Sequence, residues 1–321
     1  MRLGHAVETL ALWSLAGGLG ALPWRAARAF GAGLGSAVGA LGVRRRVARA
    51  NLALAFPDRD PAWRERVLAE HYRELGRVAA EYAHLPRLAR AQREDVFASF
   101  EGERYVHEAR ALGRGVVFVT GHIGNFEMGA AGMHRVMPLA IMAKPLSNPG
   151  VEAWVGRIRA GYGVELLAYR LGVRGAIRRL RSGGALALLA DQDARRDGVF
   201  VPFFGRLAST AAGPAWLSLA SRAPIVFCTC VRARDGRFEM RVQPPIVPQG
   251  DASDPEAVRS LTARHAALLE AAVRERPESW FWLHRRWKTS PPAPLSPPLS
   301  PPPLVPAPPP ARSMSSLDQE A

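Results

Sequence analysis

The chain has 321 residues, of which 48% are apolar. This is enough apolar material to bury a sizeable core, so an intrinsically disordered protein, a disulfide-stapled miniprotein and a collagen-like fibre are excluded. The 43 Lys and Arg residues outnumber the 28 Asp and Glu residues and give a net charge of +15. Such a surplus indicates a regular encounter with an acidic partner, either nucleic acid or an anionic lipid surface.

Residues 1–45 differ in composition from the rest and are predicted to form a membrane anchor. Residues 9–24 and 29–43 carry no charge, and an arginine cluster follows at positions 44–49. Each uncharged stretch is shorter than the roughly 20 residues that a straight transmembrane helix needs. A tilted single span, a re-entrant hairpin and an interfacial helix remain open, as does a buried helical hairpin of a soluble protein. The arginines favour a cytoplasmic position for the chain that follows.

Residues 46–290 are predicted to form one domain in which strands and helices alternate. Short apolar runs suited to buried strands occupy residues 115–120, 139–143, 185–190 and 224–231. Segments with helical length and spacing occupy residues 125–136, 151–162, 172–182, 210–221 and 256–274. One or two further helices are expected over residues 61–84. This alternation predicts an α/β fold with a mixed, mainly parallel sheet flanked by helices.

The C-terminal residues 291–321 are predicted to be a disordered tail. Twelve of the 27 prolines lie between positions 291 and 310. Such a composition prefers extended polyproline conformers to a packed core. A docking peptide for a proline-binding partner is the alternative.

The only two cysteines, Cys228 and Cys230, lie in the apolar run 223–231. Alternate residues of a strand point to the same face, so both thiols are expected on one side. A zinc site needs more ligands than these two. We therefore interpret them as small buried apolar residues of a reducing compartment, and no metal site is predicted.

The sequence VTGHIGNFE, residues 119–127, contains the strongest candidate for a catalytic centre. An apolar strand ends here, and flanking glycines allow a turn at His122 before a helix begins, with Asn125 as its cap. On a continuous helix His122 and Glu127 would lie about 140° apart and could not touch. If His122 lies in the turn and Glu127 in the first helical turn, the two side chains can meet.

In that geometry His122 would be a general base. A carboxylate bonded to one imidazole nitrogen fixes the tautomer and leaves the other nitrogen free to act near neutral pH. Such a base can take the proton of a hydroxyl as its oxygen attacks a carbonyl. Backbone N–H groups at the start of the same helix would receive the developing negative charge. A purely structural role for His122 is the alternative.

Further sequence blocks accompany this motif in a fixed order. They are Asn51-Leu with Phe56-Pro57, GHIGNFE at 121–127, Lys144-Pro145 with Asn148-Pro149, GRIR at 156–159, DQD at 191–193, VPFFG at 201–205 with AST at 208–210, and WLHRRWKT at 282–289. Together they resemble the late acyltransferases of lipid A biosynthesis, the lauroyl and myristoyl transferases, within the lysophospholipid acyltransferase superfamily. The resemblance extends from the N-terminal segment to about Thr289.

The resemblance implies a glycerolipid-acyltransferase-like fold and transfer of a fatty acyl chain to a hydroxyl of a lipid A precursor. The donor would be acyl carrier protein or acyl-CoA, and no metal or tightly bound cofactor would take part. His122 would be the general base and Glu127 its orienting partner. The related glycerolipid acyltransferases usually have an FPEG-type block, whose absence from this sequence counts against a lysophosphatidate substrate.

The resemblance also makes five residues candidates for substrate binding, namely Lys144, Arg157, Arg159, Asp191 and Asp193. The three basic residues would bind acceptor phosphates or steer the donor, whereas the two acidic residues have no assigned chemistry. Arg157 and Arg159 diverge by about 200° on a helix, so both are not expected to face one phosphate. The two acids follow an apolar strand, where α/β proteins keep ligand contacts, although a plain turn is the alternative.

The segment 280–288 mixes aromatic and basic residues, which suits a membrane interface. The same mixture can stack on single-stranded nucleic acid, but the sequence has no recognisable nucleic-acid module. Some of the aromatic residues can instead pack in the core. We therefore expect a membrane-associated O-acyltransferase at the cytoplasmic face of the inner membrane. The alternatives are acylation of another glycolipid, such as a phosphatidylinositol mannoside, and a non-catalytic basic protein that binds membranes or nucleic acid.

Overall fold

A computed structural model of the chain describes residues 3–168 and 172–291. The helices are α1 (Leu3–Ala21), α2 (Trp24–Ala40), α3 (Arg45–Ala55), α4 (Pro61–Tyr82), α5 (Leu85–Leu88), α6 (Arg93–Val96), α7 (Arg104–Ala111), α8 (Phe126–Val136), α9 (Pro149–Gly161), α10 (Gly172–Arg181), α11 (Gly213–Ser221) and α12 (Pro255–Glu275). The strands are β1 (Phe97–Glu101), β2 (Val116–Thr120), β3 (Leu139–Ala143), β4 (Glu165–Ala168), β5 (Ala185–Leu189), β6 (Val199–Phe203), β7 (Arg206–Thr210), β8 (Ile225–Arg232) and β9 (Phe238–Val242). Nearly all of the predicted Pro-rich tail lies outside the described residues.

Within the described residues, seven strands form a central sheet in the order β1-β9-β8-β2-β5-β3-β4, and β6 pairs with β7 in a separate hairpin. Every neighbouring pair of the central sheet is parallel except β8 and β9, which are antiparallel. The prediction of a mixed, mainly parallel sheet flanked by helices is therefore confirmed. In β2, Val117 and Val119 pack into one hydrophobic cluster and Phe118 into another, so helices cover both faces of the sheet.

The four predicted strands appear as β2, β3, β5 and β8, and the five predicted helices appear as α8 to α12. Residues 61–84 contain the single helix α4 and a short turn. The prediction was wrong at Thr210, which ends β7 and does not begin α11. It also missed β1, β4, β6, β7 and β9. Strands such as β9, with the sequence FEMRV and alternating burial, lack the continuous apolar run that marks the buried strands.

The N-terminal helices α1 and α2 are separated at Pro23, and α2 packs closely against α4. Gly35 makes this approach possible, because a Cβ atom there would lie 2.0 Å from the carbonyl oxygen of Tyr72. Facing Gly35, Gly76 is equally restricted, with a Cβ atom only 2.0 Å from the Gly31 oxygen. The small residues of this segment therefore serve helix packing.

Among residues 3–168 and 172–291, no single helix has the length and hydropathy of a membrane span. One bent pair, Trp24–Ala40 with Arg45–Ala55, meets the length and composition criteria together, with an angle of 92° between its helices.

Candidate active site

His122 and Asp191 meet at the carboxyl edge of the sheet. Strands β2 and β5 are parallel neighbours, with Thr120 opposite Leu189. The residues that follow the two strands therefore lie side by side, although 69 positions separate them in the chain. This is the edge at which open α/β sheets place their ligand sites.

Asp191 holds His122 through two hydrogen bonds. Its Oδ1 lies 2.7 Å from Nδ1 of the His122 ring, and its Oδ2 accepts the backbone N–H of His122 at 2.7 Å. The indole Nε1 of Trp280 donates to the same Oδ2 at 2.9 Å. Because a carboxylate only accepts hydrogen bonds, Nδ1 carries the hydrogen and Nε2 is the basic nitrogen of the neutral ring.

The charges of the pair stabilise one another. Burial by itself would lower the pKa of His122, but the negative charge of Asp191, with a smaller effect of Glu127, outweighs it and raises that pKa above its ordinary value. Burial would raise the pKa of Asp191, but His122 and the donated hydrogen bonds lower it to about 2. Asp191 is therefore ionised throughout the physiological range, and His122 is a stronger base than a free imidazole.

The expectation that Glu127 orients His122 is corrected by this geometry. Glu127 is 1% exposed and is bonded to Arg159, with Nε 3.2 and 3.1 Å from its two carboxylate oxygens and Nη2 also donating. The hydroxyl of Tyr162 donates to Glu127 at 2.7 Å and that of Tyr82 at 3.3 Å. In the first turn of α8, Glu127 thus faces α9 and α4, and its effect on His122 is a longer-range electrostatic one.

The turn between β2 and α8 has the predicted backbone, and three of its N–H groups already have acceptors. Gly124 adopts a φ of +58°, and the Oδ1 of Asn125 accepts the N–H of Met128 at 2.9 Å. Gly124 and Asn125 donate their own N–H groups to the carbonyl oxygens of Ser279 and Cys230. These three amides are therefore already satisfied and are not available to a developing negative charge.

His122 opens onto a cavity of about 1570 Å³. Its side chain is 25% exposed, and it lines this cavity together with Glu127 and Arg159. An apolar arm of the cavity extends between α8 and the sheet and is lined by Phe118, Gly129, Met133, Leu139, Cys228 and Met240. Further apolar side chains, from α10 and α11, are Val173, Pro214, Trp216 and Leu217. A basic group beside a cavity with an apolar arm suits chemistry on an acyl chain.

The comparisons with known proteins agree with this chemistry. The lipid A biosynthesis palmitoleoyltransferase of Escherichia coli is 30% identical over 269 residues, which cover 80% of this chain and 85% of that protein. The lipid A biosynthesis lauroyltransferase of the same organism is 26% identical over 283 residues, covering 84% and 88%. Residues 6–289 match the family described as bacterial lipid A biosynthesis acyltransferase.

The chain belongs to this lipid A acyltransferase family. It is accordingly an O-acyltransferase of the lipid A biosynthesis type. A further relative, the phosphatidylinositol mannoside acyltransferase of Mycolicibacterium smegmatis, is 30% identical over 190 residues, covering 57% of this chain and 60% of that protein.

The acyltransferase brings some of the predicted substrate-binding residues to the cavity and leaves one outside. Lys144, Arg159 and Asp193 line it, whereas Asp191 is buried behind His122. Arg157 does not line it: its guanidinium lies 5.3 Å from the ring centre of Trp13 on α1. The divergence predicted for the two arginines of α9 places Arg159 in the cavity and Arg157 on the surface, so the expected substrate role of Arg157 is not supported by its position.

The aromatic and basic segment of the acyltransferase has divided roles. Trp280 and Trp282 are buried, at 2% and 0% exposure, whereas Arg285 and Lys288 line the cavity. The alternative that its aromatic residues pack in the core is therefore the one observed for these two tryptophans. Sequence reasoning missed Trp280 as a partner of Asp191, because two residues 89 positions apart give no signal of proximity.

The NLxxxFP block of the acyltransferase also supports this segment. The Nδ2 of Asn51 donates to the carbonyl oxygens of Trp282 at 2.8 Å and His284 at 2.6 Å. The NLxxxFP block marked Asn51 as a residue of interest in the sequence. Its contact with the segment that contains Trp282 and His284 could not be inferred from that block. Cys228 and Cys230 are buried on the same face of β8, as predicted, and both line the cavity.

Proposed function

We propose that this acyltransferase moves a fatty acyl chain from a thioester donor to a hydroxyl of a lipid A precursor, with His122 as general base and Asp191 as its orienting partner. The observation that carries the proposal is the bond between His122 Nδ1 and Asp191 at the wall of a cavity with an apolar arm. Glu127 has a different task, which is to hold Arg159 in the cavity wall.

The proposed reaction needs only one proton carrier. Nε2 of His122 takes the proton of the acceptor hydroxyl, and the hydroxyl oxygen attacks the carbonyl carbon of the thioester. The carbon–sulfur bond then breaks, and the imidazolium returns the proton to the departing sulfur. The products are an ester and a free thiol. Arg159 supplies positive charge in the same cavity while negative charge develops on the carbonyl oxygen.

The donor is proposed to place its acyl chain in the arm between α8 and the sheet. The length of this arm selects the chain length, because each methylene that fits is favoured by about 0.8 kcal/mol. The cavity lining also carries Lys144, Arg195, Arg285 and Lys288, together with the acidic residues Glu152, Asp193 and Asp197. These cations suit the phosphate of a phosphopantetheine group, which acyl carrier protein and coenzyme A share.

The acceptor is proposed to be a phosphorylated glycolipid that already carries acyl chains. The second group of apolar side chains, near α11, suits those chains, and the basic residues of the lining suit its phosphates. A phosphatidylinositol mannoside is the second candidate acceptor, supported by the similarity to the mycobacterial enzyme.

Incubation of the purified full-length chain with donor and acceptor tests the proposal. Acyl carrier protein loaded with a labelled acyl chain and CoA loaded with the same chain form separate arms, each offered with a lipid A precursor or a phosphatidylinositol mannoside. We expect label in the lipid A precursor, detected by mass spectrometry as one added acyl ester. Transfer to the mannoside alone would show that the proposed lipid A acceptor is wrong and that the mannoside is the acceptor. The absence of transfer to either glycolipid from either donor would contradict the proposal.

The acyltransferase is further proposed to work on the cytoplasmic face of the inner membrane, docked through α1 and α2. Both helices expose large apolar side chains, including Leu10 at 67% and Phe30 at 55% exposure, and Leu41 directly after α2 is 82% exposed. Arg44 and Val47, at the bend between α2 and α3, line the cavity. A bilayer in contact with this surface would therefore lie beside the cavity, and its lipids could reach His122 without crossing water.

Exchange of three exposed apolar residues tests this docking. The variant Leu10→Ser/Phe30→Ser/Leu41→Ser is expected to bind vesicles of anionic phospholipid at least about 100-fold more weakly, because each large apolar side chain contributes about 1.5–3 kcal/mol when fully buried. Co-sedimentation measures the binding. The matched control exchanges Leu112, Leu207 and Val247 for Ser. These side chains are 50%, 48% and 47% exposed and lie outside α1 and α2.

Equal binding of both triple variants would contradict the proposed docking surface. Point variants are preferable to removal of residues before Arg44, because α2 packs on α4. Its removal would uncover the contacts of Gly35 with Tyr72 and would change folding as well as membrane binding.

A further inference from the structure

Glu81 of α4 contacts the turn between β2 and α8, which holds His122, and it lies outside the cavity lining. It is 0% exposed, and its Oε2 accepts a hydrogen bond from Nδ2 of Asn125 at 2.7 Å. Asn125 is 1% exposed, and its Oδ1 caps α8 by accepting the N–H of Met128. Because an ionised carboxylate can only accept hydrogen bonds, Glu81 determines which end of the Asn125 amide faces the helix.

The other oxygen of Glu81 faces two arginines. Nη1 of Arg232, at the end of β8, donates to Oε1, and Nε of Arg28 on α2 lies 3.8 Å from it. Burial raises the pKa of Glu81, and the positive charge of Arg232 with its hydrogen bond acts against that rise and favours the ionised carboxylate. Each oxygen of Glu81 thus has a fixed direction of hydrogen bonding, with arginine on one side and the Asn125 amide on the other.

The orientation of Asn125 controls the first turn of α8. If its amide reversed, an NH₂ group would face the Met128 N–H and the cap would be lost. Two groups of the site depend on that turn. The ring of Phe126 packs edge-on against His122 at 5.2 Å between centres, and Glu127 anchors Arg159.

We propose that Glu81 is a positioning residue for acyl transfer, which fixes the Asn125 cap and thereby the first turn of α8 beside His122. It contacts neither the cavity nor a reacting atom. The activity part of its test rests on the proposed function, whereas the structural part does not.

The direction of each hydrogen bond allows a test by rescue. In Glu81→Gln the side-chain oxygen can serve Arg232 or Asn125 but not both, because its NH₂ group must face one of the two donors. In Asn125→Asp two carboxylates face each other. In the double variant Glu81→Gln/Asn125→Asp, the glutamine oxygen accepts from Arg232, its NH₂ donates to the introduced aspartate, and that aspartate caps Met128.

We expect each single variant to lower kcat by up to about 100-fold with little change in KM, the loss that a displacement of about 1 Å at a reacting group produces. The double variant should recover most of this loss. Hydrogen exchange at the Met128 amide should be faster in each single variant and slow again in the double variant. Acyl transfer from a labelled donor to a lipid A precursor measures kcat and KM.

Glu74→Gln is the matched control. Glu74 is 7% exposed and accepts from Nη2 of the same Arg232 at 2.9 Å, but its described hydrogen bonds do not include Asn125. The proposal would be overturned if Glu74→Gln lost as much kcat as Glu81→Gln. It would also be overturned if both single variants had wild-type kcat and wild-type hydrogen exchange at Met128, or if the double variant had no higher kcat than the single variants. If the wild-type chain transferred no acyl group, the proposed function would fail, and Met128 exchange alone would decide the positioning role.

Discussion

Replacement of His122 by Ala is expected to lower kcat by about 10²–10⁴-fold, the range that a positioned general base contributes. The reason is that Nε2 of His122 is the nitrogen left for the acceptor hydroxyl once Nδ1 is bonded to Asp191. The fold should survive, since the ring is a quarter exposed and lies at the cavity wall. Transfer of a labelled acyl chain by the purified variant measures the effect, and thermal unfolding checks the fold.

His107→Ala is the control for loss of a histidine as such, because that side chain is 60% exposed on α7, outside the cavity lining. It should leave transfer unchanged. Turnover of the His122→Ala variant at the wild-type rate would remove His122 from the mechanism and leave it with a structural role.

Exchange of Asp191 for Asn is expected to lower kcat by up to about 10⁴-fold, and no further than His122→Ala does, through the wrong tautomer of His122. Two donors, the His122 backbone N–H and the Trp280 indole, converge on Oδ2. The amide oxygen of the introduced asparagine must therefore take that position, and its NH₂ group must face Nδ1. The ring then carries its hydrogen on Nε2, where it cannot accept the proton of a hydroxyl.

The pH dependence of kcat/KM gives the second measurement on the Asp191→Asn variant. In the wild type, transfer should fall as the pH drops through the raised pKa of His122, because the base acts only when it is unprotonated. The midpoint should therefore lie above the ordinary histidine value of about 6.5. Loss of the Asp191 charge should move any remaining acidic limb to lower pH. If Asp191→Asn had the wild-type rate and an acidic limb at the wild-type pH, the proposed role of Asp191 as the partner of His122 would be contradicted.

The two residues should also act as one unit. The double variant His122→Ala/Asp191→Asn is expected to be no less active than His122→Ala alone, because Asp191 works through the imidazole. A further loss of kcat in the double variant would instead assign Asp191 a separate contact with the substrate.

The choice between Glu127 and Asp191 marks the limit of sequence reasoning in the site. Glu127 is five positions from His122 and belongs to the same block, so its proximity could be predicted, and it does line the same cavity. Its bond to Arg159 depends on where the fold places α9 relative to α8, which the local spacing does not report. For Asp191 the sequence predicted only a position at the end of an apolar strand, and not a contact with His122.

The predicted strands show the same division. β2, β3, β5 and β8 were identified because strands buried on both faces are continuously apolar. β1 and β9 were not predicted, because polar residues alternate with apolar ones in FASFE and FEMRV and no continuous apolar run results. The buried pair Glu81 and Asn125 was also beyond prediction, since a glutamate within a helical pattern is normally assigned to a solvated face.

By itself, the sequence determined the family, the α/β architecture, the strand-to-helix turn that holds His122, and the divergence of Arg157 and Arg159. These depend on interactions between residues a few positions apart or on blocks that recur as strings. The tertiary structure alone decided that Asp191 and Trp280 orient His122, that Glu127 anchors Arg159, and that the cavity runs beneath α8. Those contacts arise from the order in which strands pair and helices pack, which joins residues 69 and 89 positions apart.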